Sequence, residues 1–389
     1  MAARLPYNLS CEVETMNPTR EFAHAMLREI YEQPAALRET IARYVKDGRL
    51  REDVFAPARA LLAEHKDIVI AASGSSRHAG QAAEIWLEDF AGMSVDVEYA
   101  SEYCCRSTNT KRNPAVVVIS QSGETADTLA ALREAVRRGH PTMAITNVAE
   151  STMAREASVS LPTWAGVEKA IPATKSFTAQ LVVAYLLAVY AAQVRGAMAA
   201  DEVAARVMAL EGLPALIEAQ LAGWEVAAEK LATKYADAET FLYLGRGIHY
   251  AIAREGALKL KESSYVHAEG YPTGELKHGP NALVSEETPL IVVATVDASD
   301  AESALRYEKT AQLLEDMRKQ GARVLAICND GDMHIAALAT DVIQVQPVGE
   351  YLLPIEEVVP LQMFSYFIAV RHGVDVDRPR NLVKAVVTE

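Results

Sequence analysis

Short β-branched apolar runs alternate along this chain with Ala/Leu/Glu-rich helical stretches, and the alternation occurs twice. The first set of runs is Ile68–Ala72, Ala115–Ile119, Thr142–Ile145 and Val159–Leu161. The second is Thr240–Leu244, Leu290–Thr295, Arg323–Ile327 and Val342–Val345. Continuous apolar runs of this length suit strands buried on both faces, and their alternation with helices predicts an α/β fold of doubly wound parallel sheets. In each set an early strand runs into a small-residue turn and then a helix: IVIAASGSSRHAGQAAEIW in the first, TFLYLGRGIHYAIAREGALKL in the second. The two sets read as two copies of one unit in tandem. The expected organisation is an N-terminal arm and helix over 1–49, a first domain over 50–205, a second over 225–370 and an irregular C-terminal tail over 371–389. Within the arm, Met16–Leu50 reads as helix.

Half of the 389 residues are apolar, enough for a sizeable core and against a disordered chain. The net charge of −14, with no long Lys/Arg run, argues against a nucleic-acid or anionic-membrane partner. Thr178–Val194 is the one stretch that approaches a membrane span. It carries Gln180 and two tyrosines amid α/β signals, so a buried helix is expected. The cysteines, Cys11, Cys104, Cys105 and Cys328, form no CxxC pair, and the opening MAARLPYNLSCEVE has no apolar leader segment. A reducing, cytoplasmic setting is the expectation.

Two turns of the first copy share a design. Ser73-Gly74-Ser75-Ser76 and Ser120-Gln121-Ser122-Gly123-Glu124-Thr125 each follow an apolar strand and precede a helix. Such turns present backbone N–H groups and hydroxyls at the positive end of a helix dipole, which suits a phosphate. Helix capping alone would explain one such turn; two at successive strand ends favour binding. Neither carries the GK[ST] of a nucleotide P-loop. Gly245-Arg246-Gly247 opens like a dinucleotide fingerprint, but Tyr250 stands at the third glycine position. No cofactor is expected.

Glu255, Lys259 and Glu262 share one face of a helical segment, a pattern that an exposed salt-bridge ladder would also produce. Beyond them Glu275-Leu276-Lys277-His278-Gly279-Pro280 places an imidazole beside a turn. A carboxylate and an imidazole from nearby segments suit proton transfer on a sugar. No HxxxH or Cys/His cluster supports a metal site. Near the end stands Lys384, ordinarily a surface lysine; desolvated, it would be able to form a Schiff base.

Three segments, SQSGETADTLAALREA, EGALKLKESSYVHAEGYPTGELKHGP and DVDRPRNLVKAVVTE, together resemble the isomerase half of the glutamine–fructose-6-phosphate aminotransferase family, a tandem of flavodoxin-like sugar-isomerase (SIS) domains. The resemblance runs from about residue 20 to the end. It implies a hexose phosphate held by Ser120, Gln121, Ser122 and Thr125, with Ser75 and Ser76 on the same ligand. It implies that Glu262 shuttles a proton between C1 and C2 and that His278 assists ring opening, reaching the site of the partner in a homodimer with shared active sites. Lys384 would form the imine with the open-chain ketose, and Lys259 would lie beside the reacting oxygen. In the segment Ile171-Pro172-Ala173-Thr174-Lys175, which contributes Ile171 and Ala173 to the expected substrate site, Ala173 stands where the family usually has serine.

The residues ahead of the first strand are too few for the glutaminase domain of the full synthase. The leading expectation is therefore an isomerising glucosamine-6-phosphate deaminase, yielding fructose 6-phosphate and ammonia. The alternatives are an ammonia-dependent synthase or an aldose–ketose isomerase, then a fructosamine-phosphate deglycase or a sugar-phosphate sensor. A sensor would need none of Glu262, His278 and Lys384.

Overall fold

The computed structural model describes residues 20–106 and 112–386; Cys11 and the start of the expected 16–50 helix lie outside them. Two helices, α1 (Ala25–Tyr31) and α2 (Gln33–Tyr44), replace that single helix. Pro34 in the first turn of α2 fits a helix start. After Tyr44 the chain forms a small hairpin, Val45–Lys46 with Arg49–Leu50, turned by Asp47 and Gly48 at positive φ.

The first sheet consists of β1 (Asp67–Ala72), β2 (Ser94–Tyr99), β3 (Ala115–Ser120), β4 (Thr142–Thr146) and β5 (Val159–Pro162). The second consists of β6 (Thr240–Gly245), β7 (His267–Pro272), β8 (Leu290–Val293), β9 (Val324–Asn329) and β10 (Asp341–Val345). Every pairing in both is parallel, and both have the order second–first–third–fourth–fifth. The expected pair of doubly wound sheets is present. Each sheet also has a strand that the apolar runs did not reveal, β2 and β7. Both are edge strands with half-exposed side chains, so SVDVEY and HAEGYP carry no continuous apolar run.

The helices that matter for the site are α3 (Gly74–Ala91) after β1, α4 (Ala126–Arg137) after β3, α5 (Lys175–Arg195), α6 (Ala200–Tyr235), α7 (His249–Ser264) after β6, α8 (Ala301–Lys319) after β8 and α9 (Leu353–Arg371). Alternate strand residues face opposite layers. Ile68, Ile70, Phe241 and Tyr243 enter one large core shared by both sheets with α3, α5, α6, α7 and α9. Val69 and Ala71 face a separate cluster under α4, and Leu242 and Leu244 one under α8. Helices α5 and α9 are each long and apolar enough to cross a membrane, and both are almost wholly buried in this core. That is why α5 is apolar all round rather than on one stripe.

The core also holds an acid. Glu356, in the first turn of α9, is fully buried. One carboxylate oxygen accepts from the Gln346 N–H at 2.8 Å and the other has no hydrogen-bond partner among the described residues. Burial, with the neighbouring Glu357 adding to it, pushes its pKa up to about 7. The folded value lies above the unfolded one, so the stability linked to this group is full below the ordinary carboxylate range and is lost as pH rises through about 7. Glu356→Gln should therefore flatten the decline in melting temperature between about pH 5 and about pH 8, and should stabilise at the upper end. Parallel melting curves for both proteins check this; equal slopes would refute it.

Candidate active site

In the first sheet the strand order reverses between β1 and β3, and the crevice beyond their carboxyl ends is where an open α/β sheet binds ligands. The two serine-rich turns leave those two strands. In the β3 turn, Ser120 Oγ accepts from the Gly123 N–H at 3.1 Å and lies 3.1 Å from Thr125 Oγ1, while Ser122 Oγ accepts from the Glu124 N–H. Accepting these bonds leaves the hydroxyl hydrogens of Ser120 and Ser122 able to donate. Thr125 is the N-cap of α4 and its side chain makes no cap bond, so the dipole end of the helix is not closed by its own residue. Gly123 sits at φ +67°, where a Cβ would overlap Ser151.

The other turn is used differently. Ser75 Oγ donates to Glu255 Oε1 at 2.8 Å, and Ser76 Oγ accepts from Gln180 Nε2 at 3.1 Å. These serines tie α3 to α7 and α5. The Ser75 hydroxyl hydrogen is engaged by Glu255 in this conformation.

Helix α7 carries the candidate acid–base groups on a largely buried face rather than on an exposed ladder. Lys259 is 1% exposed; its ammonium contacts Glu262 and lies 3.5 Å from Glu255. Burial alone would lower its pKa, but the carboxylates of Glu262 and Glu255 outweigh that and raise it, so Lys259 is a cation. Glu255 also receives His78 Nδ1 at 2.7 Å. Burial lowers the His78 pKa, against the pull of Glu255, and favours the neutral ring. Glu262 is the partly open member of the face, its side chain 23% exposed.

The tail returns to this place. Lys384 Nζ donates to Glu168 Oε2 at 2.5 Å and to the Ala170 carbonyl at 2.6 Å. The Val386 carbonyl accepts from Ala126 N, the first residue of α4, at 2.8 Å. Glu168 is fully buried and accepts from the N–H groups of Thr174 and Ser176 and from Ser176 Oγ. Burial acts to raise its pKa, and Lys384, with the Ser176 hydroxyl and the Thr174 N–H, prevails and lowers it. Glu29 on α1 holds the same loop by accepting from the N–H groups of Lys169 and Ala170. The Ile171 N–H donates to the Asp377 carbonyl at 3.0 Å, and Ile171 and Ala173 are half-buried beside it. Lys259 also feels the charge of Glu168, so the tail and α7 meet in one electrostatic neighbourhood.

Thus Lys259, paired with Glu262, feels the charge of Glu168, the acid that holds Lys384, while Val386 of the tail bonds the residue that follows the Ser120–Thr125 turn and Ser75 is linked in through Glu255. His278 does not join them within the chain: it is exposed on the 3₁₀ turn Thr273–His278 and makes no hydrogen bond or ion pair among the described residues. Sequence reasoning missed Glu168 and His78. Glu168 lies in an irregular stretch with no periodicity, and only the folded tail shows its partner; His78 follows the serine turn by two residues, which was the available signal.

In the second sheet the corresponding crevice holds a buried ion-pair cluster. His249, the first residue of α7, lies between two buried carboxylates, 2.9 Å from Glu357 and 3.3 Å from Glu350. Burial would lower its pKa, and the two acids hold it up at about 10. Arg306 Nε adds a 2.8 Å bond to Glu350. The cationic groups here are already paired with internal carboxylates, which leaves less positive charge for an incoming phosphate.

Two tandem parallel sheets with a phosphate-type cradle and a buried lysine–carboxylate face define a double SIS-domain protein. The SIS domain profile matches residues 61–190 and 234–370, and the chain belongs to that family. It is 42% identical over 370 residues to the isomerizing glutamine–fructose-6-phosphate aminotransferase of Chlorobaculum tepidum, covering 95% of this chain and 59% of that one. The chain therefore spans about three fifths of that relative's length. The C-terminal domain of glucosamine-fructose-6-phosphate aminotransferase from Francisella tularensis superposes with a TM-score of 0.86 at 35% identity, over 92% of this chain and 98% of that one. The glucosamine-6-phosphate deaminase of Thermotoga maritima shares the fold, with a TM-score of 0.70 at 23% identity over 94% and 100% of the two chains.

Gly123→Ala should strain the β3 turn and drive a methyl into Ser151, with a loss of about 1–3 kcal/mol in stability and a marked weakening of hexose 6-phosphate binding. Gly139, also at positive φ but with open space where an added methyl would sit, is the control: Gly139→Ala should cost stability without affecting binding. Denaturant titration and calorimetry separate the two.

Proposed function

We propose that this site catalyses the isomerising amination of fructose 6-phosphate: ketose phosphate and ammonia give glucosamine 6-phosphate and water. The observation that carries the reading is the electrostatic linkage of Lys384, Glu168, Lys259 and Glu262, contributed by the tail, the 168–176 loop and the second sheet's helix α7, with the tail bonded at Val386 to the first residue of α4. Relatives at 40–42% identity named as isomerizing aminotransferases support this direction over the deaminase expectation. The deaminase likeness extends to the fold alone. Deamination is the same chemistry reversed and would use the same groups.

In the proposed reaction the phosphate docks on the hydroxyls of Ser120, Ser122 and Thr125 and at the α4 N-terminus, and Gln121 borders it. His278, supplied by the partner of a homodimer, assists opening of the sugar ring. Lys384, after giving up a proton, adds to the C2 carbonyl and forms an imine with loss of water. Ammonia displaces Lys384 and leaves the C2 imine of the sugar. The Glu262 carboxylate removes a proton from C1 and returns it to C2, while the imine nitrogen takes up a proton to become the amine and the C1 hydroxyl gives one up to become the aldehyde. Atoms balance: one ammonia enters and one water leaves. The Lys259 ammonium stabilises negative charge developing on the sugar oxygen in between.

Ammonium and fructose 6-phosphate mixed with the protein should yield glucosamine 6-phosphate. Glu262→Gln should keep sugar-phosphate binding, lose about 10²–10⁴-fold in turnover and stop exchange of the C1 proton with deuterated water. Lys384→Ala should abolish the adduct that borohydride traps on the protein. Binding of fructose 6-phosphate without C1 exchange in the unaltered protein would refute an enzymatic site and leave a sensor.

A further inference from the structure

A cavity of about 340 Å³ lies over the seam between α3 and α7, next to the candidate active site but on a different face of α7. Its walls include Arg77, Tyr99, Arg254, Lys261 and Tyr271. Residues 254, 257, 258 and 261 recur at helical spacing along this face, whereas Glu255, Lys259 and Glu262 occupy the neighbouring one.

Among the described residues, neither guanidinium in this cavity pairs with an acid. Arg254 donates to Gln81 Oε1 at 3.2 Å and to the Tyr99 hydroxyl at 2.9 Å. Arg77 is 9% exposed and lies 3.9 Å from the Tyr99 ring. Its Nη2 reaches the Val97 carbonyl at 3.4 Å, and its Nε and Nη1 are buried with no hydrogen-bond partner among the described residues. Burial and the like charge of Arg254 both lower the pKa of Arg77. The acid in the cavity wall, Glu269, is bonded to the Tyr271 hydroxyl. On α3, Glu84 is pushed up to about 7 by burial, with Glu88 and Asp96 adding to it, which makes it a weak counter-charge. A buried cation left without a counter-charge is costly, and a neighbouring cation adds to the cost. An arginine pair with free donors around a cavity of small-molecule size suits a phosphate oxyanion.

We propose that this cavity is a second anion site, for a small phosphorylated ligand held by Arg254 and Lys261 with Arg77 behind the Tyr99 ring. The ligand's charge would be felt in the active site through one residue. His78 borders the cavity and bonds Glu255, and Glu255 holds both Ser75 and Lys259. The site's existence does not depend on the proposed reaction, because binding alone tests it.

Equilibrium dialysis with radiolabelled inorganic phosphate, at fixed ionic strength, counts the sites. The unaltered chain should bind two phosphates. The double variant Ser122→Ala with Thr125→Ala should retain the one in the arginine cavity. Arg254→Gln should weaken that one by about tenfold or more and leave the other. Lys261→Gln, at an exposed position, should weaken it less and guards against misfolding of the first variant. If Arg254→Gln and Lys261→Gln both leave phosphate binding unchanged, or if the cradle variant binds none, the proposal is wrong. A fall in dimer stability in Arg254→Gln with no change in phosphate binding would likewise overturn it, by assigning the cavity to a subunit contact. A single phosphate lost with Arg254→Gln and kept in the cradle variant would support the arginine site and refute the cradle.

Discussion

The carboxylate of Glu168 is removed from water, and the arrangement of the site follows from what that requires. A buried anion is tolerated where donors and a counter-charge surround it. Here two backbone N–H groups, one hydroxyl and the Lys384 ammonium do so. The 168–176 loop must wrap the carboxylate to supply the first three, and the tail must return across the protein to supply the fourth. Helix α1 steadies the loop through Glu29, and Asp377 in the tail accepts from the first N–H groups of α1 at 2.8 Å. Apolar burial contributes little to docking of the last residues: Leu382, Val383 and Val386 are all exposed. Charge and a few backbone bonds hold the end of the chain in place, so its position depends on the ionisation state of one acid.

The two sheets show how a duplicated unit divides its work. Both have the same strand order and therefore the same crevice between their first and third strands. The first has kept small hydroxyl residues there, which can accept an anion. In the second, His249, Arg306, Glu350 and Glu357 have filled the space with a neutralised internal cluster. That cluster anchors the N-terminal end of α7 at the sheet, and α7 then carries Glu255, Lys259 and Glu262 across to the first sheet's crevice. The proposed division, with binding by one copy and chemistry by the other, rests on this asymmetry.

Much of the fold is legible in the sequence because buried parallel strands must be continuously apolar; the runs for β1, β3, β4 and β6 reach almost to the strand ends. The edge strands β2 and β7 escape because one side of each lacks a neighbour and their residues alternate with solvent. The 16–50 segment reads as one helix although Pro34 and the Asp47-Gly48 turn mark its breaks. At the site, Ser120–Thr125 and the spacing of Glu255, Lys259 and Glu262 are visible as local patterns. The pairing of Lys384 with Glu168 is not, since 216 positions separate them and no local rule predicts which acid a distant lysine will meet.

That pair also bears on the chemistry proposed for Lys384. Glu168 is deeper than its partner, which is about a quarter exposed, so loss of the cation would cost more on the carboxylate's side than the pair gains on the lysine's. A lysine that simply lost its proton to solvent would leave Glu168 buried and unpaired, and the carboxylate would take up a proton instead. An imine formed by Lys384 with a ketose avoids that cost if it is protonated, because the iminium keeps a positive charge near Glu168. The buried carboxylate would therefore favour the iminium over the neutral imine. The iminium is also the more electrophilic form, the one that ammonia attacks more readily at C2. In this reading the group that docks the tail also sets the charge state of the intermediate.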